Sequence, residues 1–286
     1  ISRQLAFPEF IGFSAPRQNA GTMENKGVDL AINYRDVFGN VKFSALGNVS
    51  YAKNKILYID EAIDPNAPWQ AQTGSKYGGN VLYDAIGIFK TPQDLIDYPR
   101  FANSQLGDLI FRDVNGDKVI NSLDRVRSDL NIVPEISFGL NLMAEYKNFD
   151  LSILFQGQAR VVQPIGYKYD GSSNMLQSEL ENAWSPTNPD GTYPRPGARN
   201  SYWADRQSNF WLQDASFVRL KTIDLGYSLP KAMLKTVNIE NLRVYFSGFN
   251  LLTFSKIKDQ DPEISSSEGR AYPQTKILNF GVSLTF

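Results

Sequence analysis

The sequence predicts an all-β chain, and more narrowly the strands of a transmembrane antiparallel β-barrel. Three observations carry that reading: clean two-residue alternation in several segments, a regular alternation of short and long connections, and a closing strand that runs to its last residue. In that strand Leu278, Phe280, Val282, Leu284 and Phe286 share one parity, while Asn279, Gly281, Ser283 and Thr285 share the other. Side chains alternate across a strand, so the segment has one apolar face and one small polar face. A barrel strand needs that pairing, because its outer face meets lipid and its inner face meets a wet lumen.

The remaining strands follow in order. Ile1–Gly21 contains Pro8 and Pro16 and reads as a strand remnant followed by a loop. From Gly27, the apolar file Val28, Leu30, Ile32 and Tyr34 alternates with Asp29, Ala31, Asn33 and Arg35. A short connection at 36–40 leads to a partner carrying Val41, Phe43, Ala45, Val49 and Tyr51. Ile136 to Tyr146 and Phe149 to Phe155 alternate in the same way around a tight Lys147-Asn148 turn. Across Ser216–Ser228 the parity slips between Val218/Leu220 and Ile223/Leu225/Tyr227, which predicts a bulge near Lys221. A single helical turn after Pro230 precedes the strand opened by Leu242, Val244 and Phe246.

Counted back from Phe286, the connections run roughly 25, 13, 57, 2, 80 and 5 residues. Long and short alternate strictly. If the carboxyl end is periplasmic, every short turn is periplasmic and the long loops, about 55–135, 159–214 and 251–275, are extracellular.

Composition removes several classes of function. The chain has 286 residues and a formal net charge of −1, so no strong field points to nucleic acid. It lacks Cys and His, which excludes disulfides, thiol nucleophiles, Ser-His-Asp chemistry and imidazole-bound zinc. No run reaches the roughly 18 apolar residues of a membrane helix, a fact without bearing on barrels. Residues 1–14 have no signal-peptide pattern and the chain opens on Ile1, so a segment of a longer protein is expected.

Two constellations stand out. Asp113, Asn115 and Asp117 have the 1, 3, 5 spacing of a calcium loop. Val119 would offer its carbonyl, Asn121 a water-mediated contact, and Asp124 falls at position 12. Lys118 replaces the usual Gly and Asp124 the usual Glu, and the plain alternative is a surface turn held by Asx hydrogen bonds. The loop at 159–214 carries Tyr167, Tyr169, Trp184, Tyr193, Tyr202, Trp203 and Trp211, rings suited to stacking on a ligand or anchoring a partner. Packing of the loop on itself is the alternative. Carboxylates such as Asp259/Asp261/Glu263 and Glu179/Glu181 read as solvated loop charge, and no catalytic role is expected.

Several runs resemble one family, the SusC/RagA-type TonB-dependent outer-membrane transporters. They are Asn19-Ala20-Gly21 through Asp29-Leu30, Asn48-Val49-Ser50 through Lys55-Ile56, and Gly107-Asp108 through Asp117 with Asp124-Arg125. Phe217-Val218-Arg219-Leu220-Lys221, Leu225-Gly226-Tyr227-Ser228-Leu229-Pro230, Asn250-Leu251-Leu252, Asp261-Pro262-Glu263, Tyr272-Pro273 and Phe286 extend the likeness over nearly the whole chain. Asp29 stands where the family pattern has Glu.

The resemblance implies the carboxyl-terminal seven or eight strands of a 22-stranded barrel in the outer membrane of a Gram-negative bacterium. It implies import of oligosaccharides or peptides beneath a SusD-like lid lipoprotein, driven by the TonB complex through a plug outside this chain. It also implies that the terminal Phe286 serves as the barrel-insertion signal. Two other readings stay open here, a small passive porin-like barrel and a soluble carbohydrate-binding β-sandwich.

Overall fold

The computed structural model describes residues 2–4, 17–164, 177–196, 207–235, 239–264, 272 and 274–286. Ser2–Gln4 (β1) pairs antiparallel with Arg17–Asn19 (β2). Two long strands follow, Gly21–Phe38 (β3) and Val41–Ile59 (β4). Between β4 and the next long strand lie the short strands Val81–Tyr83 (β5), Ala85–Ile88 (β6), Leu109–Phe111 (β7) and Arg125–Arg127 (β8). Ile136–Tyr146 (β9) and Phe149–Ala159 (β10) form the next hairpin. Val162–Pro164 (β11) and Leu212–Asp214 (β12) pair above it. The chain closes with Phe217–Ser228 (β13), Asn241–Ser255 (β14) and Ile277–Thr285 (β15).

Seven strands make one antiparallel sheet, in the order β15-β14-β13-β10-β9-β4-β3. Register decides what each face is. Val28 faces Tyr51, which faces Ile136, which faces Ala159; Leu30, Val49, Phe138 and Gly157 form the next row. Nearer the turns, Val41, Tyr146, Phe149, Tyr227, Val244 and Val282 lie in one row. Cross-strand partners point the same way, so these rows merge into one apolar face across all seven strands. That face is uncovered: Val28 is 67% exposed and Phe280 is 82% exposed. Val41 and Tyr51 are ten residues apart. At about 3.3 Å per residue and about 40° of tilt, the band is about 25 Å tall, the height of a bilayer's hydrocarbon core.

The opposite face is mostly polar. It carries Asn33, Ser44, Asn48, Ser50, Ser137, Asn141, Ser152, Ser247 and Asn279. Among the described residues no second sheet packs on either face, so the arrangement is a section of barrel wall and not a sandwich.

The predicted bulge is present. The β13 register shifts against both neighbours, with Lys221 skipped between Leu220 and Thr222, and this returns the apolar residues to the lipid side. The Lys147-Asn148 turn and the Lys231–Leu234 helical turn are also as expected.

Several boundaries differ. The connection at 36–40 contracts to Gly39-Asn40, where Gly39 takes φ 63°. A positive φ at the first turn position matches the strand twist, and glycine adopts it freely. β3 begins at Gly21 and not Gly27, because pairing outlasts the apolar pattern: Lys26 faces Lys53 and Glu24 faces Lys55. Backbone bonding continues where the outward file has left the lipid. For the same reason β4 reaches Ile59 and β14 reaches Ser255, so the long loops start beyond 55 and 251. Near the start, Arg17–Asn19 is a strand where a loop was expected.

All three long connections leave one end of the wall, and the short ones close the other. At the base of the loops, Val161 and Ala215 from the two ends of the middle connection form a small buried cluster with Ile257 at the start of the last.

Candidate functional site

Polar and charged side chains gather on the inward face of the sheet and in the loops above it. Two arginines organise the wall. Arg219 points inward from β13 and is only 1% exposed. Its Nη2 donates to Asp261 Oδ2 at 2.7 Å, and Nη1 donates to Glu263 Oε2 at 2.5 Å and Gln274 Oε1 at 2.8 Å. Its Nε donates to Thr253 Oγ1 at 3.0 Å, and the guanidinium stacks 5.1 Å from the Phe217 ring centroid. Gln156 Nε2 donates to the other Glu263 oxygen at 3.3 Å, and Gln163 donates to the Pro262 carbonyl. The segment 260–263 is thereby drawn against the inner wall.

The second arginine lies nearer the turns. Arg243 on β14 reaches across β13 to both oxygens of Asp150, Nε donating at 3.0 Å and Nη2 at 2.5 Å, and also bonds Asp224. It crosses Gly226, where an added Cβ would stand 2.3 Å from Arg243 Nε. Glycine there leaves the guanidinium room to lie flat along the wall.

Above the wall, loops from different strands merge into one body. The core under residues 60–135 is Tyr83, Leu109, Phe111 and Ile120, joined by Phe101 and by Phe210 from the next loop. Tyr83 N donates to Gln207 O at 2.7 Å, Ala85 N to Asn209 Oδ1 at 2.9 Å, and Asn209 Nδ2 to Asp84 Oδ1 at 2.6 Å. Arg195 Nε donates to the buried Asp108 at 2.8 Å. Arg127 stitches the same loop by donating to the carbonyls of Gln70, Ala71 and Gly79. Burial raises the Tyr83 hydroxyl above its ordinary value, so it stays protonated.

The acidic loop is closed by its own amides. Asp113 Oδ1 accepts from Gly116 N at 2.7 Å and Oδ2 from Lys118 N at 2.8 Å. Asn115 Oδ1 accepts from Asp117 N, and Asp117 Oδ1 from Val119 N. Asp124 is fully buried and accepts from Val114 N at 3.0 Å and Asn121 N at 2.8 Å, while Asn121 Oδ1 caps Leu123 N at 2.7 Å. Lys118 takes φ 65°, the left-handed conformation for which glycine is suited. Among the described residues, no group of three or more His, Cys, Asp or Glu side chains is arranged to hold a metal ion. Asx turns and a capping box use the same side-chain oxygens that the calcium spacing would require.

The aromatic expectation needs correction. Trp184 and Trp211 are buried, at 8% and 6% exposure, so most of each ring is spent on packing, although Trp184 still lines a cleft with Leu106, Pro186 and Arg195. Tyr193 packs edge-on against Phe210 with centroids 5.7 Å apart and lies 6.4 Å from Trp211. The physical reason is the size of the loop body: polar backbone this long needs its own apolar centre. Tyr167, Tyr169, Tyr202 and Trp203 lie outside the described residues. Phe286 follows β15 and is exposed.

Sequence reading did not single out Arg219 or Arg243. A signal was available, because each is an arginine on the inward parity of a membrane strand, where an unpaired charge is costly and partners are expected.

Comparison with known proteins now bears on this geometry. No family model matches the chain. The chain is 29% identical to TonB-dependent receptor P3 of Formosa agariphila, over 98% of this chain and 30% of that protein. It is 26% identical to TonB-dependent receptor SusC of Bacteroides thetaiotaomicron, over 94% of this chain and 27% of that one. Its fold overlays the RagAB peptide transporter with a TM-score of 0.74 at 24% identity, covering all of this chain and 32% of that chain. It overlays the RagAB peptide importer in the open-open state with a TM-score of 0.71 at 25% identity. The chain spans under a third of the length of the curated relatives named here. With the lipid-facing band, the short-turn and long-loop ends and the inward arginines, these likenesses agree: over nearly its whole length the chain is similar in sequence and fold to TonB-dependent receptors, SusC among them.

Proposed function

We propose that this chain supplies part of the wall and extracellular loops of an outer-membrane importer that takes up oligosaccharides or peptides. The observation that carries the reading is the apolar file running unbroken across seven strands at bilayer height, backed by a polar face. A protein that binds sugars in solution would have no use for it. The last loop, drawn against the inner wall by Arg219, suits a gated importer better than an open passive pore. Named relatives are receptors and transporters and not enzymes, which accords with the absence of any expected catalytic group.

In this reading a SusD-like lipoprotein caps the loops from outside, and the TonB complex acts through parts of the protein beyond this chain. The experiment is deletion of the full gene, followed by growth on defined oligosaccharides and on peptides as sole nutrient. Pull-down of the tagged full-length protein from solubilised outer membranes tests for the lid. Loss of growth on one oligomer class, with a lipoprotein co-purifying, is the expected result. Unchanged growth on every oligomer, or recovery of the protein in the detergent-free soluble fraction, would overturn the reading.

A further inference from the structure

The outward face changes character abruptly at its loop end. Below that line the file is Val28, Tyr51, Ile136 and Ala159. One pair further out it becomes Lys26 and Lys53, and then Glu24 and Lys55. Arg160, the residue after β10, takes φ 56° and holds its guanidinium 5.9 Å from the outward Tyr51 ring. A left-handed arginine is strained, and here the strain turns a cation toward the lipid side. Its side chain is 63% exposed although Nη1 also bonds Glu135 at 3.2 Å.

A groove of about 670 Å³ opens at this rim, lined by Lys53, Lys76, Asn131, Arg160, Val162 and Leu212, among others. Beside it Leu130, Ile132 and Val133 are 46%, 54% and 60% exposed, a cluster of bare aliphatic side chains without cover from this chain. The charges lining the groove are Lys53, Lys76 and Arg160 against Asp129, Glu135 and Asp214; outside it, Lys55 faces Glu24 across the hairpin and Lys256 reaches Asp214. Glu135 is shared by Lys76 and Arg160, and Asp214 pairs with Lys256. Among the described residues Lys53 has no acidic partner. Lys26 is neutralised locally by Glu24.

Cations directly above an apolar band, with exposed aliphatic groups at the same height, match a ligand with an anionic head and hydrocarbon tails. We propose that the groove at Lys53 and Arg160 binds the phosphorylated headgroup of an outer-leaflet lipid, with Leu130, Ile132 and Val133 against its acyl chains. This rests on the outer-membrane reading above.

The test uses the full-length receptor purified from outer membranes, compared with K53E/R160E and the milder K53Q/R160Q. Lipid retained by each is measured by mass spectrometry, and melting is followed in phosphatidylcholine vesicles with added diphosphoryl or dephosphorylated lipid A. Wild type should retain about tenfold more diphosphoryl lipid A than K53E/R160E, with K53Q/R160Q between. Its melting should rise with the diphosphoryl form and not with the dephosphorylated form or with inorganic phosphate. Equal retention by wild type and the Gln variant, or equal stabilisation by dephosphorylated lipid or inorganic phosphate, would overturn the groove. Failure of wild type itself to fractionate with outer membranes would instead sink the location on which it rests.

Discussion

The wall and the loop body treat apolar side chains in opposite ways. In the wall, Val28, Leu30, Ile32, Phe280 and Val282 stand exposed on one face, and among the described residues no second sheet packs behind them. In the loops, Tyr83, Leu109, Phe111 and Ile120 are buried together as in a small soluble domain. Charges follow the same division: the acids Asp108 and Asp124 are buried in the loop body, whereas the apolar face of the wall carries almost none. The wall is built for lipid on one side, and the loops are built for water on theirs.

The sharpest way to break this division is at its seam. Arg219 is a wall residue whose acidic partners belong to the last loop, so Arg219→Leu leaves Asp261 without its counter-charge and Glu263 with only Lys221, 3.8 Å away. Removing one member of a buried pair costs about 3–5 kcal/mol. The expected outcome is a lower melting temperature and rapid protease cleavage within 256–276, with the strands still assembled. Intact loop protection in that variant would mean the arginine is incidental.

The next test compares neighbours on opposite faces of one strand. Leu142 lies on the lipid side of β9 and Asn141 on the lumen side. Leu142→Arg should destabilise insertion into bilayers by about 2–4 kcal/mol, and Asn141→Arg by much less. Heat-modifiable gel mobility after refolding into vesicles reads both. Equal effects would show that the face assignment fails.

Within the loops the comparable test is polar. Asp124 satisfies two backbone amides from a fully buried position. Asp124→Ala would strand them, at about 1–3 kcal/mol, and should speed amide exchange at Val114 and Asn121 without altering exchange in the wall.

This division also explains what could be read from the chain. In the wall, environment alternates with every residue, so parity alone gave the faces, the Lys147-Asn148 turn and the bulge at Lys221. Where the outward file left the lipid, at Lys26 and Lys53, the pattern stopped although pairing continued, and the strand ends were misplaced. The loops have no period to read. Trp184 and Trp211 looked like contact residues because the loop around them is polar, but Tyr193 and Phe210 of the same loop pack on Trp211, and Gly107 of the preceding loop lies against Trp184. Asp113, Asn115 and Asp117 matched a ligand spacing that amide hydrogen bonds also require. Arg219 and Arg243 sit on readable strands, yet their partners depend on long-range register and loop placement.

The smallest expected effect is on acidification, and only the loops should show it. Burial alone would raise Glu135, but hydrogen bonds from Lys76 and Arg160 bring it below its ordinary value of 4.5. Burial likewise opposes the amides of Gln72 and Thr73 at Glu61, and the amides prevail, so Glu61 is also lowered. Asp94, exposed at the loop surface, is lowered by the backbone amides of Thr91 and Lys90. A carboxyl group with a depressed folded-state pKa contributes fully above its ordinary value and loses that contribution as pH falls through the folded value. Stability of the loops should therefore be flat from pH 7 to about 5 and decline below about 4.5. The apolar face of the wall has almost nothing to titrate, so strand exchange should stay unchanged there. Hydrogen exchange at pH 7, 5 and 4 measures both regions in one experiment, with rates corrected for intrinsic pH dependence. Loosening of the wall before the loops would show that the lipid-facing strands depend on loop ion pairs, which their register gives no reason to expect.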